Sequence, residues 1–283
     1  MNRRNTANVF HLNLEPSEAG LGLVEILISL VLSMLLAIAL FTVLHSTLFG
    51  AISQRSISAL QESERRAATN IQEVAHAGGY FVVDPSIYSN QGSIPSSALQ
   101  VTNALTAGTA SSAPGTDVTY SNGQYVVGTS NPDVLNIRFQ SALNANGNAN
   151  EPPTMNCLGQ AANSTTPTIY NNTYFVDTTN NSLDCAVNGG TPQIIIGNGS
   201  NGGIQVESMT VLYGVDTNSS GSVTEYETAN NVTAWSNVLT AQITLNYANP
   251  LYVTSETLAQ NKGQLPIIPF TFLVDFKGAG NVN

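Results

Sequence analysis

From Leu21 to Phe49 the chain reads LGLVEILISLVLSMLLAIALFTVLHSTLF, and Glu25 is the single formally charged side chain in it. An α-helix rises about 1.5 Å per residue, so this run reaches roughly 44 Å, enough to cross the hydrocarbon core of a bilayer. A helix that is apolar on every face has no side to offer water, and the run is therefore read as a membrane span. A secretory signal peptide is excluded by length, since its apolar core is only about 7 to 15 residues long and ends at a small-residue cleavage site. A plain signal anchor is the simplest alternative.

Glu25 needs a reason for being there. On insertion scales an Asp at the centre of a membrane helix costs about 2.5 to 3.5 kcal/mol, less near the interface, so the carboxylate is expected to have a partner. The hexapeptide Gly20-Leu21-Gly22-Leu23-Val24-Glu25 resembles the class III signal of type IV prepilins and pseudopilins, in which a peptidase cuts after the glycine and methylates the new N-terminus. The resemblance implies a leader over 1–20, a mature N-terminus at Leu21, and at Glu25 the glutamate that pairs with the terminal amine of a neighbouring subunit. Leu21 and Gly22 stand where the family usually has Phe and then Ser or Thr, and Glu18-Ala19 where a basic residue is usual. Arg3 and Arg4 precede the span and Arg55, Arg65 and Arg66 follow it, which by charge counting favours the opposite topology. A cytoplasmic N-terminus is thus what the resemblance implies.

Beyond Gly50 the pattern becomes amphipathic. Ile57, Leu60, Ala67, Ile71, Val74 and Gly78 recur at helical spacing, while Arg55, Gln61, Glu62, Arg65, Arg66 and Glu73 fill the other faces. The spacing predicts one helix from about Leu21 to Ala77, membrane-spanning over 21–49 and amphipathic over 50–78, with Gly78-Gly79 able to end it in a left-handed conformation. The segment ERRAATNIQEVAHAGGY resembles the helix end of the PilW family of minor pilins.

The remainder, 79–283, reads as one β-rich extracytoplasmic domain, long enough to bury a sizeable core. From Tyr80 to about Gly128 the chain is rich in Ser, Asn, Thr and Ala, with Pro85, Pro95 and Pro114. This region is expected to be irregular, partly anchored by its aromatics, with short strands such as Gln124–Val127. Val134–Phe139 alternates as a half-buried strand should. TIYNNTYFVDTTNNSLDCAV reads as two strands across a turn at Thr178–Asn181, and Gln193–Ile196 as another. Further strands are expected in SNVLTAQITLNY and PFTFLVDFKG. The stretch GIQVESMTVLYGVDTNSSGSVTEYETA also resembles the PilW family, whose members carry a strand ending in YGVD, an Asp/Asn/Gly loop and a second strand. The fold class expected is α+β: a long N-terminal helix packed against an antiparallel β domain, as in pilins.

Charge and cysteines narrow the function. The chain carries a formal charge of −10, which repels phosphate backbones, so direct nucleic-acid binding is not expected. Cys157 and Cys185 are the only cysteines. Beyond a membrane an even count reads as one disulfide, worth about 3 to 4 kcal/mol on the chain-entropy model. No CxxC spacing supports redox or zinc chemistry.

One loop carries a metal pattern. Asp216, Asn218, Ser220 and Ser222, with Gly221 at the sixth place, Val223 at the eighth and Glu227 at the twelfth, follow the EF-hand spacing that converges oxygen ligands on calcium. A hairpin loop built from turn formers gives the same string without a metal. Catalytic material is scarce: there is no GxSxG, HExxH or phosphate-binding glycine loop, and of the three histidines only His76 could face solvent outside the leader and span. No enzyme is expected. The PilW resemblance implies a structural subunit of a type IV pilus, a precursor in the inner membrane with a periplasmic domain. Its partners would be prepilin peptidase, membrane lipid before assembly, and other minor and major pilins in the filament. The alternatives are a minor pseudopilin of type II secretion, a membrane-anchored calcium-dependent adhesin and an anchored hydrolase.

Overall fold

A computed structural model describes residues 21–81, 104–111, 117–141, 154–162, 167–197, 203–253 and 263–276. The leader and Gly20 lie outside them. Two units divide between Gln54 and Arg55. A single helix, α1 (Leu21–Ala77), supplies the described part of the first and opens the second.

In the first unit every described side chain from Gly22 to Phe49 is exposed. The hydroxyls on this stretch turn back onto their own helix: Ser29 donates to the Glu25 carbonyl at 2.7 Å, Ser33 to Leu30, Thr42 to Ala39 and Thr47 to Leu44. Such i−3 and i−4 bonds satisfy these four hydroxyl protons within the helix itself.

In the second unit α1 shows one apolar stripe. Leu60, Ala67, Ile71, Val74 and Ala75 are buried, whereas Arg55, Gln61, Arg65, Arg66 and Glu73 face outward. Ile57 departs from expectation: it lies on the stripe by spacing yet is 42% exposed, because burial on this face begins one turn later, at Leu60. The helix ends as predicted. Gly79 adopts φ +80°, Gly78 N–H donates to Ala75 and Tyr80 N–H to Ala77, a C-terminal closure that a side chain at the left-handed position would strain.

The strands are β1 (Gly108–Ala110), β2 (Val118–Tyr120), β3 (Val126–Thr129), β4 (Val134–Ser141), β5 (Thr168–Asp177), β6 (Ser182–Val187), β7 (Gln193–Gly197), β8 (Val206–Val215), β9 (Glu225–Glu227), β10 (Val238–Ala248) and β11 (Ile267–Asp275). They form a β1–β2 ribbon, a five-stranded sheet in the order β3-β4-β5-β6-β7 and a four-stranded sheet in the order β11-β10-β8-β9, with antiparallel pairing throughout. The antiparallel α+β architecture is the one expected from sequence.

One core joins these elements. The α1 stripe shares a buried cluster with Leu135, Ile137 and Phe139 of β4, Val211 and Tyr213 of β8, and Ile243 and Leu245 of β10. On β10 the period of two is complete, with Ala241, Ile243, Leu245 and Tyr247 inward and Gln242, Thr244 and Asn246 outward. The expectation of a half-buried strand at 134–139 fails, because β4 is buried on both faces along its whole length. The second face is closed by the chain around β1 and β2, which Arg138 holds. Its guanidinium donates to the backbone carbonyls of Gln124, Thr106 (2.9 Å), Leu105 (3.2 Å) and Ser121 (2.9 Å) and lies over the Tyr120 ring at 4.2 Å. A buried cation satisfied by carbonyls rather than by an acid still loses hydration, and burial lowers the Arg138 pKa.

Candidate functional site

Three places bear on function: the exposed half of α1, the seam where α1 meets the sheets, and the loop after β8.

Leu21 is the first helical residue and Glu25 lies on the first turns, exposed. Among the described residues the Glu25 carboxylate takes part in no ion pair; the two present, Arg65–Glu62 at 2.8 Å and Arg66–Glu62 at 3.4 Å, are on the outer face of the amphipathic half. Among the described residues Glu25 is thus the one charge on the apolar half of α1. Cleavage at Gly20 falls outside the described residues.

At the seam, Asn70 of α1 is a two-way connector. Its Nδ2 donates to the Cys157 carbonyl at 3.1 Å, and its Oδ1 accepts from the Tyr174 hydroxyl of β5 at 2.7 Å. Burial pushes the Tyr174 pKa well up, which keeps the proton this bond needs. Cys157 is bonded to Cys185 of β6, with their Cα atoms 6.4 Å apart and both residues buried. The Cys157 N–H donates to Asn172 Oδ1 at 2.8 Å, and Asn172 Nδ2 donates to the Ile137 carbonyl of β4. The disulfide therefore ties the 154–162 segment under the helix, not merely two strands to each other. Gln72 adds a second link, donating to the Leu273 carbonyl of β11 at 3.2 Å. Sequence reasoning singled out the cysteines but not Asn70, Gln72 or Tyr174; the available signal was polar residues flanking an otherwise apolar stripe.

The loop after β8 turns on Asp216. Its Oδ1 accepts N–H bonds from Asn218 (3.3 Å) and Ser220 (3.0 Å), and its Oδ2 one from Gly221 (2.7 Å). Ser219 and Gly221 have φ of +57° and +78°, which gives the sharp turn the spacing calls for. Ser220 Oγ lies 3.5 Å from the Ser222 carbonyl, and Glu227 sits at the end of β9, in register with Tyr213. Burial would raise the Asp216 pKa, yet the bonds from Gly221, Ser220 and Asn218 outweigh it and hold the carboxyl below its ordinary range. His76 is exposed on the last turn of α1.

An apolar helix long enough to cross a membrane, followed in the chain by antiparallel sheets, is compatible with a class of membrane-anchored β-domain proteins. Residues 159–265 match the family model of the Type IV Pilus-assembly protein W, PilW, so the chain resembles that family over β5 to the approach of β11. A solved type IV-like pilin from Thermus thermophilus is similar at 14% identity over 80% of this chain and 98% of that one, with a TM-score of 0.35. No curated protein matches the chain. The family match supports a pilus-associated structural subunit, and the single N-terminal apolar helix is compatible with membrane anchoring.

Proposed function

We propose that the chain is a minor pilin. It enters the inner membrane as a precursor with its N-terminus in the cytoplasm, is cut by prepilin peptidase after Gly20, and is built with other minor and major pilins into a type IV pilus. The role is structural, not enzymatic. The observation that carries this reading is Glu25, the lone charge on a helix half whose described side chains are all exposed. In the bilayer that surface is solvated by lipid; in a filament, helices of neighbouring subunits replace the lipid and an N-terminal amine meets the carboxylate. Removing one half of a poorly solvated charge pair is strongly destabilising, by about 3 to 5 kcal/mol for a buried pair.

The test is Glu25→Ala, compared with wild type at equal membrane abundance in sheared pili and in pull-downs of the other minor pilins. Insertion and cleavage are expected to persist while recovery in both fractions falls. Unchanged recovery in both returns the chain to a plain anchor. As a subsidiary proposal, the loop Asp216–Glu227 takes a calcium ion with affinity in the roughly millimolar range of extracellular sites.

A further inference from the structure

Sheet edges are where an antiparallel domain can template unwanted pairing with another chain. Among the described residues four strands end the two larger sheets: β3, β7, β9 and β11. Three are short, at 4, 5 and 3 residues, and β9 carries Glu225 and Glu227. The exception is β11, with 9 residues. From Ile267 to Val274 it has no charge and is apolar except for Thr271, a composition that, Pro269 apart, pairs readily in an exposed strand.

Alternation along β11 decides which backbone groups are free. Phe276, just past the strand, donates its N–H to the Leu239 carbonyl of β10, so the even-numbered positions turn toward β10. The Leu273 carbonyl instead receives Gln72 of α1, so the odd-numbered positions turn outward. The outward row is Ile267, Pro269, Thr271, Leu273 and Asp275. Pro269 has no N–H to give, the Leu273 acceptor is already occupied, and Asp275 puts a charge at the end of the row. An incoming strand would find an uninterrupted donor and acceptor pair at Thr271 but not on both sides of it.

We propose that β11 is a deliberately closed edge. Pro269 and Gln72 together keep this domain from adding a strand of a second copy, and so from self-associating through its sheets while it waits, anchored, for another kind of assembly. Proline on the outward side of an edge strand and a helix side chain laid over its carbonyl are two established ways of blunting an edge, and both fall on the one long edge.

The test uses the full chain in detergent micelles, with size-exclusion chromatography and light scattering at matched concentrations. Pro269→Val restores the missing N–H and is expected to raise the associated fraction several-fold; adding Gln72→Ala raises it further. Leu273→Lys, placed at an exposed position of the same row, returns the Pro269→Val chain to the wild-type profile. Thermal unfolding is followed in parallel. The proposal is overturned if Pro269→Val and its combination with Gln72→Ala remain as dispersed as wild type. It is equally overturned if the association survives Leu273→Lys or comes with loss of the folding transition, since either would trace it to unfolded chains.

Discussion

The two halves of α1 are made of the same secondary structure and live by opposite rules. Leu35 is 59% exposed, with no described residue covering it, whereas Ile71, on the same helix, has no exposed surface at all. An apolar residue in the first half is exposed among the described residues; one in the second half is matched to particular neighbours on β4, β8 and β10. The contrast shows that hydrophobicity alone does not distinguish an anchor from a core. What distinguishes them is whether the polar residues between the apolar ones have somewhere specific to go. In the first half Ser29, Ser33, Thr42 and Thr47 bond only to their own helix, while in the second Asn70 and Gln72 reach other elements.

The comparison is broken most severely at the disulfide. Cys157→Ala with Cys185→Ala is expected to lower the stability of the β domain by about 3 to 4 kcal/mol, read by denaturant unfolding of the full chain, without altering membrane insertion. Ile71→Ala should cost about 3 kcal/mol by the same measure. Leu35→Ala, an equivalent truncation in the other half, should leave the unfolding midpoint unchanged. A comparable loss from both would show that the halves do not differ as described. Asn70→Ala removes the 2.7 Å acceptor of the Tyr174 hydroxyl, leaving it only the main-chain carbonyl of residue 70 at 3.3 Å, and removes the donor to the Cys157 carbonyl; the expected cost is about 1 to 2 kcal/mol, part of which Tyr174→Phe in the same background should recover.

The smallest effects belong to the Asp216 loop. Its folded pKa is depressed below the ordinary 3.8, so the stability it contributes is complete above that value and is lost as pH falls through the lower folded one. Acidification from about pH 4 downward should therefore progressively shrink the difference between wild type and Asp216→Ala. Calcium is expected to raise the unfolding temperature of wild type by binding the folded state, and Asp216→Ala and Glu227→Ala should each abolish the rise. A rise that survives both places the ion elsewhere.

Much of this was legible in advance because it is periodic. The helix, its glycine closure and the strands at β4 to β8, β10 and β11 each repeat a signal over several residues, and the EF-hand spacing pointed to a real turn at Asp216. The ribbon β1–β2 was not legible, since a three-residue strand has room for only one alternation. Arg138 escaped for another reason: a charge in a strand reads as a solvent-facing residue unless a matching acid is found, and here the matching groups are main-chain carbonyls that composition does not reveal. Ile57 illustrates the converse error, a stripe that continues in sequence past the place where packing begins.

Only 9% of the residues are charged, and among the described residues neutral side chains bond across strands, Thr173 to Asn136 and Tyr120 to Asn171 in the interior and Asn246 to Ser208 and Thr244 to Thr271 at exposed positions. Bonds between amides and hydroxyls neither titrate in the natural range of pH nor weaken as ions accumulate around them. Bonds of this kind hold almost equally in dilute salt, in concentrated salt and in mild acid.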